Sequence, residues 1–394
     1  MMASYILVLN CGSSSIKFAL INPASKETEV TGIAEKLNLP GARLKFAQHG
    51  EKITRDIPAA DHRSAMQYVL QELSQRHLLS EVIAVGHRVV HGGEKFQHSI
   101  RIDDQVLDAI KTCCRLAPLH NPANLLGIES ALQYLPKLPQ VAVFDTSFHQ
   151  TMPKKAYLYA LPMKLHQQHG IRRYGFHGIS YRFVCQAAAQ MLNKPLNDCA
   201  LIIAHLGNGS SVTAVLNGQS VDTSMGLTPL EGLVMGTRSG DIDPGISPFL
   251  VDNLGMNVAS INNLLNKESG LLGLSELTSD CRELEEAAIS GHDGASLALE
   301  IFCYRLAKYI ASYMVPLGRL DAVVFTGGIG ENSDILRANV LNQLGFLGIK
   351  LDEEANKRCI RGVEGRIDQK TIPAALVVAT NEELMIALDT AILI

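Results

Sequence analysis

The sequence predicts an α/β protein of two duplicated lobes, and two stretches carry that prediction. The first is residues 5–21. Tyr5–Leu9 is a short apolar run rich in β-formers, Asn10-Cys11-Gly12-Ser13-Ser14-Ser15 is small and polar, and Ile16–Ile21 is apolar again except for Lys17. This reads as strand, tight turn, strand. The second stretch repeats the pattern in the other half of the chain: Ala200–Leu206 is apolar, Gly207-Asn208-Gly209-Ser210-Ser211 is small, and Val212–Leu216 leads out to Asn217-Gly218. Gly12-Ser13-Ser14 and Gly209-Ser210-Ser211 hold equivalent places. A repeat at this separation means two similar lobes, not a short-period solenoid.

The turns have the parts of a phosphate cradle. Gly12 is free to take a positive φ and admit a ligand to the backbone. Successive N–H groups form an anion-binding nest, the serines add hydroxyl donors, and Lys17 puts a cation just beyond. Alone, the first stretch reads equally well as an ordinary polar hairpin. The pair points to a nucleotide held in the cleft between two lobes.

Composition narrows the class. A chain of 394 residues has room for two to three domains, and 47% hydrophobic residues supply their cores. Lys+Arg 35 against Asp+Glu 39 gives a net charge of −4 with no basic run, so neither nucleic acid nor an anionic membrane is an expected partner. The eight cysteines lack C-x-x-C spacing, and Cys113 and Cys114 are adjacent. That suits reduced thiols, not a disulfide framework or a zinc site. No charged leader and no apolar run near the ~20 residues of a membrane span are present. The expectation is a cytoplasmic protein.

In chain order, residues 23–60 read as further strands and turns of the first lobe. Met66, Val69, Leu70 and Leu73 recur at helical spacing. Val82–Val85 is a short strand running into Gly86-His87-Arg88-Val89-Val90-His91-Gly92-Gly93. Arg88 at a strand end is a candidate anion clamp, since its planar fork suits carboxylate or phosphate. By itself it reads better as a surface ion pair. Val106–Leu116 and Ala123–Tyr134 read as helices broken by Ala117-Pro-Leu-His-Asn-Pro122, and Gln140–Phe144 is a buried-type strand ending in Asp145. An Asp there serves a metal or reacting group, or caps the next turn.

Arg172-Arg173-Tyr174-Gly175-Phe176-His177-Gly178 precedes a helix from about Ser180 to Leu192, and His177, flanked by glycines after two arginines, suits an anionic site better than a core. Residues 222–245 carry five glycines and little periodicity, and a loop of that length in a compact domain is usually functional. Arg238 is its most conspicuous cation. Ser279-Asp280-Cys281-Arg282-Glu283 reads as an N-cap opening a helix, and Ala295–Met314 as a long apolar helix. Leu320–Thr326 is a strand followed by Gly327-Gly328-Ile329-Gly330-Glu331-Asn332. Strand, glycine turn and helix start make an anion site, without the full G-x-G-x-x-G or the Walker lysine. A last strand, Ala374–Val378, leads through Thr380-Asn381-Glu382-Glu383 into a C-terminal helix.

In order, Asn-x-Gly-Ser-Ser-Ser-x-Lys, Gly-His-Arg-Val-Val-His-Gly-Gly, Leu-Ala-Pro-Leu-His-Asn-Pro, Phe-Asp-Thr-Ser-Phe-His, Arg-Arg-Tyr-Gly-Phe-His-Gly, His-Leu-Gly-Asn-Gly, Met-Gly-Thr-Arg-Ser-Gly-Asp and Gly-Gly-Ile-Gly-Glu-Asn resemble the acetate kinases from residue 5 to about 390. The resemblance implies a duplicated two-lobe, actin-like ATPase fold with RNase H-like βββαβα cores and the nucleotide in the interlobe cleft. It implies lobes at 1–147 and 148–380, with a C-terminal helix over 381–394 packing back on the first. It implies reversible transfer from ATP to acetate, giving ADP and acetyl phosphate, with Mg²⁺ (or Mn²⁺ in its place), usually in a homodimer.

Carried over by motif, Asn10 and Glu382 are expected at the metal, partly through water. Lys17, His205, Leu206, Gly207, Asn208, Gly209, Asp280, Cys281, Arg282, Gly328, Ile329, Gly330, Glu331 and Asn332 are expected at the nucleotide. Arg88 is expected at acetate, with Val90, Leu119, Phe176 and Pro229 as apolar walls. Asp145, His177 and Arg238 are expected to be catalytic along with Arg88. The chain departs from the family's frequent His-Gly-Thr-Ser-His at His177-Gly178-Ile179-Ser180-Tyr181, which alters the hydrogen bonds expected around His177, and Cys11 stands where many members have Ala.

Acetate is already ionised at neutral pH and needs no general base. Phosphoryl transfer is then mostly positioning plus electrostatic stabilisation, so Arg88 and Arg238 are expected to matter most, with His177 donating to equatorial oxygens and Asp145 orienting Arg88 or metal ligands. Val90 is bulkier than the Ala of related propionate kinases, which favours acetate and leaves propionate kinase as the near alternative. A non-metabolic actin-like ATPase is the alternative from another class.

Overall fold

The computed structural model describes residues 4–394. They form two compact units, one running to Gln150 and including Asn381–Ile394, the other Thr151–Thr380.

The first unit is built on eight strands: β1 (Tyr5–Gly12), β2 (Ser15–Ile21), β3 (Thr28–Glu35), β4 (Arg43–Gln48), β5 (Glu51–Asp56), β6 (Val82–Val89), β7 (Ile100–Arg101) and β8 (Gln140–Phe144). Their order across the sheet is β5-β4-β3-β2-β1-β6-β8-β7. β1, β6 and β8 are parallel; the others pair antiparallel. The central strands read as unbroken apolar runs because both faces are covered, whereas edge strand β5 carries Glu51, Lys52, Arg55 and Asp56 toward water, which blunts edge-to-edge pairing.

On one face lies the helix His62–Gln75, opened by an Asp61–Ser64 capping box, with Ala65, Met66, Val69, Leu70 and Leu73 buried at helical spacing. The C-terminal helix, Glu382–Ile392, packs on β6 and β1. Gly86 on β6 permits that approach: a Cβ there would meet Thr390 Oγ1 at 2.5 Å.

The second unit has six strands: β9 (Ala200–Leu206), β10 (Ser210–Leu216), β11 (Gln219–Thr223), β12 (Ala322–Thr326), β13 (Gly365–Arg366) and β14 (Ala374–Val377). Their order is β11-β10-β9-β12-β14-β13. Laid strand for strand, β3-β2-β1-β6-β8-β7 and β11-β10-β9-β12-β14-β13 are one pattern, with the same parallel pairs in the middle and the same two-residue antiparallel strand at the far edge. The repeat read from two hairpins extends to the whole sheet. The long helix Asp293–Ser312 presses Ala295, Ala298, Phe302, Leu306 and Ile310 into this core.

Two local readings change. The first hairpin is tighter than its composition suggested, because backbone pairing continues through Asn10↔Lys17, Cys11↔Ile16 and Gly12↔Ser15. Gly12 is therefore not among the glycines with positive φ. β6 likewise runs on past Val85 to Val89, so Arg88 lies within the carboxyl end of the strand, paired with Val143.

Candidate active site

In the first unit, three oxygen-bearing side chains gather round one guanidinium. Arg88 projects from β6, and Asp145 follows the last residue of β8. The Asp145 N–H donates to the Val89 carbonyl (3.0 Å), which fixes the aspartate beside the arginine. Arg88 Nε donates to Asp145 Oδ1 at 3.0 Å and Nη2 to Oδ2 at 2.6 Å, a two-pronged clamp. Nη1 reaches Asn10 Oδ1 on β1 at 3.4 Å, and Glu382 Oε2 lies 3.9 Å from Nε. Asn381 places Glu382 by capping the C-terminal helix, its side chain accepting from the Leu384 N–H at 2.9 Å. The strand end predicted for Asp145 thus leads to a partner for Arg88, not to the cap of a turn.

Burial works against the Arg88 charge, but Asp145 and then Glu382 hold its pKa above the ordinary value. Burial pushes the Glu382 carboxyl up; Arg88 draws it back, while Asp145 and Glu383 push it further. Lys17, exposed and paired with Asn10 across the hairpin, also draws it down. Among the described residues, no cluster of three His, Cys, Asp or Glu side chains could cage a metal. Magnesium does not require one: it takes one or two protein oxygens, keeps several waters and completes its shell from phosphates. The Asn10 carbonyl and an under-compensated Glu382 carboxylate fit such an ion.

Val90 is buried beside this cluster, its N–H donating to Asn124 Oδ1 at 3.0 Å, while Leu119 is exposed on the preceding loop. Cys11 is buried against Gly127, and burial pushes its thiol up to about 12. It acts as packing.

In the second unit, the two arginines before His177 are structural. Arg172 stacks on Tyr157, 3.6 Å from the ring centroid. Arg173 donates to the carbonyls of Thr223, Ser224 and Met225 and to Glu231 at 2.6 Å, which pins the start of the glycine-rich loop. His177 is the residue they frame. It sits in the left-handed region (φ 58°) at the head of the helix Gly178–Met191. Its ring stacks on His205, centroids 4.2 Å apart, and its Nδ1 meets Ser211 Oγ at 2.9 Å. His205 Nδ1 meets Ser180 Oγ at 2.8 Å, and Ser180 in turn meets Thr380 Oγ1 at 2.8 Å. Phe176 is buried beside them.

Arg238 lies in the loop after β11. Its Nη1 donates to the Pro229 carbonyl at 2.6 Å. A Cβ on Gly209 would stand 2.8 Å from its Nη2, so only glycine lets the arginine lie against the turn. Burial alone acts on Arg238, and it lowers the pKa.

A cleft of about 690 Å³ in this unit is lined by Gly207, Asn208, Asp280, Cys281, Arg282, Gly328, Ile329 and Asn332 from the predicted nucleotide set. Asp280 caps the helix Cys281–Ile289 and pairs with Arg282 at 3.0 Å. Leu206 is buried and Gly330 lies within the short helix Gly327–Asn332. Glu331 turns away from the cleft, accepting from the Gly327 N–H (2.9 Å) and the Thr380 N–H (3.1 Å), so it ties the glycine turn to the end of the sheet. Sequence reasoning missed Ser279, Glu285, Ser333, Ile360 and Arg361, which also line the cleft. Ser333 had a readable signal as the cap of the helix Asp334–Gln343; the turn at Ile360-Arg361 carried none.

The sequence profile of the acetokinase family matches residues 5–388. The acetate kinase of Chromobacterium violaceum is 63% identical over 390 residues, covering 99% of this chain and 98% of the relative. A crystal structure of a propionate kinase from Francisella tularensis superposes with a TM-score of 0.95 at 48% identity, covering 99% of this chain and all of the other (100%). That of the Porphyromonas gingivalis acetate kinase gives 0.94 at 44% identity, covering 99% of each. With the shared strand order of its two sheets, the chain has the duplicated actin-like ATPase fold, and it belongs to the acetokinase family.

Proposed function

We propose that this protein is an ATP:acetate phosphotransferase, forming acetyl phosphate and ADP reversibly by direct in-line transfer. The observation that carries the reading is the Arg88 clamp: a guanidinium fixed by Asp145 at 3.0 and 2.6 Å, with the Asn10 and Glu382 oxygens around it. It is supported by a full-length relationship to acetate kinases. A carboxylate kinase has to bring two anions together, and this group is fixed before substrate arrives.

In this reading acetate pairs with Arg88 beside Val90 and Leu119. ATP occupies the cleft floored by Gly207 and Asn208, with His205, Gly209 and Gly330 close to its phosphates. Asp145 orients Arg88 and takes no proton from acetate, which is already a carboxylate. Arg238 and His177 donate to the oxygens that gain charge as the phosphoryl group moves. Asn10 and Glu382 hold magnesium, which when bound neutralises phosphate charge. The family relationship supports a homodimer, checked by light scattering of the purified protein.

The propionate kinase among the similar structures gives the second reading its specific support. Val90 argues for acetate, because a bulkier wall leaves less room for the extra methylene. The test is hydroxamate trapping with ATP and Mg²⁺, run on acetate and propionate in parallel. Greater kcat/KM for acetate upholds the proposal, greater kcat/KM for propionate replaces it with the second reading, and ATP hydrolysis without hydroxamate from either overturns both.

A further inference from the structure

His177 stands at a helix start in a left-handed backbone conformation. The stack on His205, inclined at 23°, sets the plane of its ring. A stack does not set the flip. Turning the imidazole by half a revolution about its Cβ–Cγ bond keeps the plane and exchanges Nδ1 with a carbon, and Nε2 with another. Ser211 Oγ, 2.9 Å from Nδ1, distinguishes the two, since a ring carbon there would leave the hydroxyl without that bond.

Ser211 is itself held. It is the second residue of β10, paired with His205 across the β9–β10 ladder, and it is fully buried. Tyr181 Oη lies 2.5 Å from its Oγ. Tyr181 follows His177 by one helical turn, its N–H donating to the His177 carbonyl at 3.0 Å, so the two side chains share one helix face with the serine reaching in between. Tyr181 is also the position at which the chain departs from its family's frequent histidine.

We infer that Ser211, backed by Tyr181, is a positioning residue for the reaction: the hydroxyl pair selects the flip and the tautomer of His177. The inference rests on the carboxylate-kinase reading with His177 at the transferred phosphoryl group. Partners behind a reacting side chain typically cost about 10–100-fold when removed. Ser211→Ala therefore lowers kcat by about that factor while KM for ATP stays within about twofold. Tyr181→Phe, which keeps the buried ring, acts in the same direction and less strongly.

The experiment is a double-mutant cycle by hydroxamate trapping over wild type, Ser211→Ala, His177→Ala and the double variant, with Tyr181→Phe alongside and ¹⁵N spectra of the imidazoles. The expected result is that Ser211→Ala costs nothing further once His177 is gone, and that the His177 nitrogen shifts move from one tautomer to a mixture in Ser211→Ala. A loss that persists undiminished in the His177→Ala background, or unchanged nitrogen shifts in Ser211→Ala, overturns the inference. If wild type forms no hydroxamate, the carboxylate-kinase reading fails, and the nitrogen shifts still decide whether Ser211 sets the tautomer.

Discussion

Arg88 and Arg238 are both withdrawn from water, one in each unit, and they are treated in opposite ways. Arg88 is clamped by a buried carboxylate, with Glu382 close by, and its charge is secured above the ordinary range. Arg238 is steadied by a carbonyl oxygen, with burial alone acting on it. The first has its counter-charge built in and is part of the scaffold before any ligand arrives. The second is a part-buried cation that the fold leaves under-compensated. In the proposed reaction, compensation suits the group that positions, and its lack suits the group that responds to charge as it develops.

The largest test of that contrast is a matched pair of substitutions. Arg238→Met is expected to lower kcat by about 10³-fold or more, as loss of a charge-stabilising arginine does in phosphoryl transfer, while raising stability by about 1 kcal/mol. Arg88→Met leaves Asp145 buried and unpaired and is expected to lower stability by about 3 kcal/mol. Initial rates and urea unfolding of the two variants read both effects; loss of stability in both would dissolve the contrast.

His87, the neighbour of Arg88 on β6, sharpens it. It is buried, its Nε2 donates to Gln140 Oε1 at 2.7 Å, and burial pushes its pKa down to about 4. The unfolded chain binds a proton that the folded chain refuses, so this contribution is fully present above about pH 6.5 and is lost as pH falls toward 4. The loss amounts to ~3 kcal/mol. Urea unfolding from pH 7 to 4 is expected to show this acid slope in wild type and a flatter one in His87→Gln.

Asp145→Asn keeps the shape and halves the clamp. We expect kcat to fall by about 10–100-fold with an altered Mg²⁺ dependence; turnover and Mg²⁺ titration both close to wild type would remove Asp145 from its orienting role. The smallest effect belongs to an uncharged neighbour. Val90→Ala is expected to shift the propionate-to-acetate ratio of kcat/KM by about tenfold toward propionate.

Much of this was legible before any coordinates. Strand-forming runs and small turns announced the duplicated sheets, since central parallel strands have no polar face to disguise them. What misled was local composition. Cys11 and Gly12 look like turn residues, yet pairing with Ile16 and Ser15 keeps them in strands. Arg172 and Arg173 look like an anion site, yet one stacks on tyrosine and the other holds a loop, because a cation's partners are chosen by the fold and not by its neighbours in sequence. The meeting of Asn10, Arg88, Asp145 and Glu382 was out of reach of spacing altogether; only the family resemblance joined them. Ser211 was visible as half of an echo, but nothing along the chain tied it to His177.

The C-terminal helix has a consequence for biosynthesis. Its residues lie on β6 and β1, strands that leave the ribosome hundreds of codons earlier. Until residues 382–392 are made, the groove at Gly86 stays uncovered and Glu382 is absent from the cluster around Arg88. The 151–380 unit is fully translated in that interval, while the first unit waits for its last helix. A nascent chain stopped at residue 380 therefore carries Arg88 and Asp145 without the helix that brings Glu382 beside them.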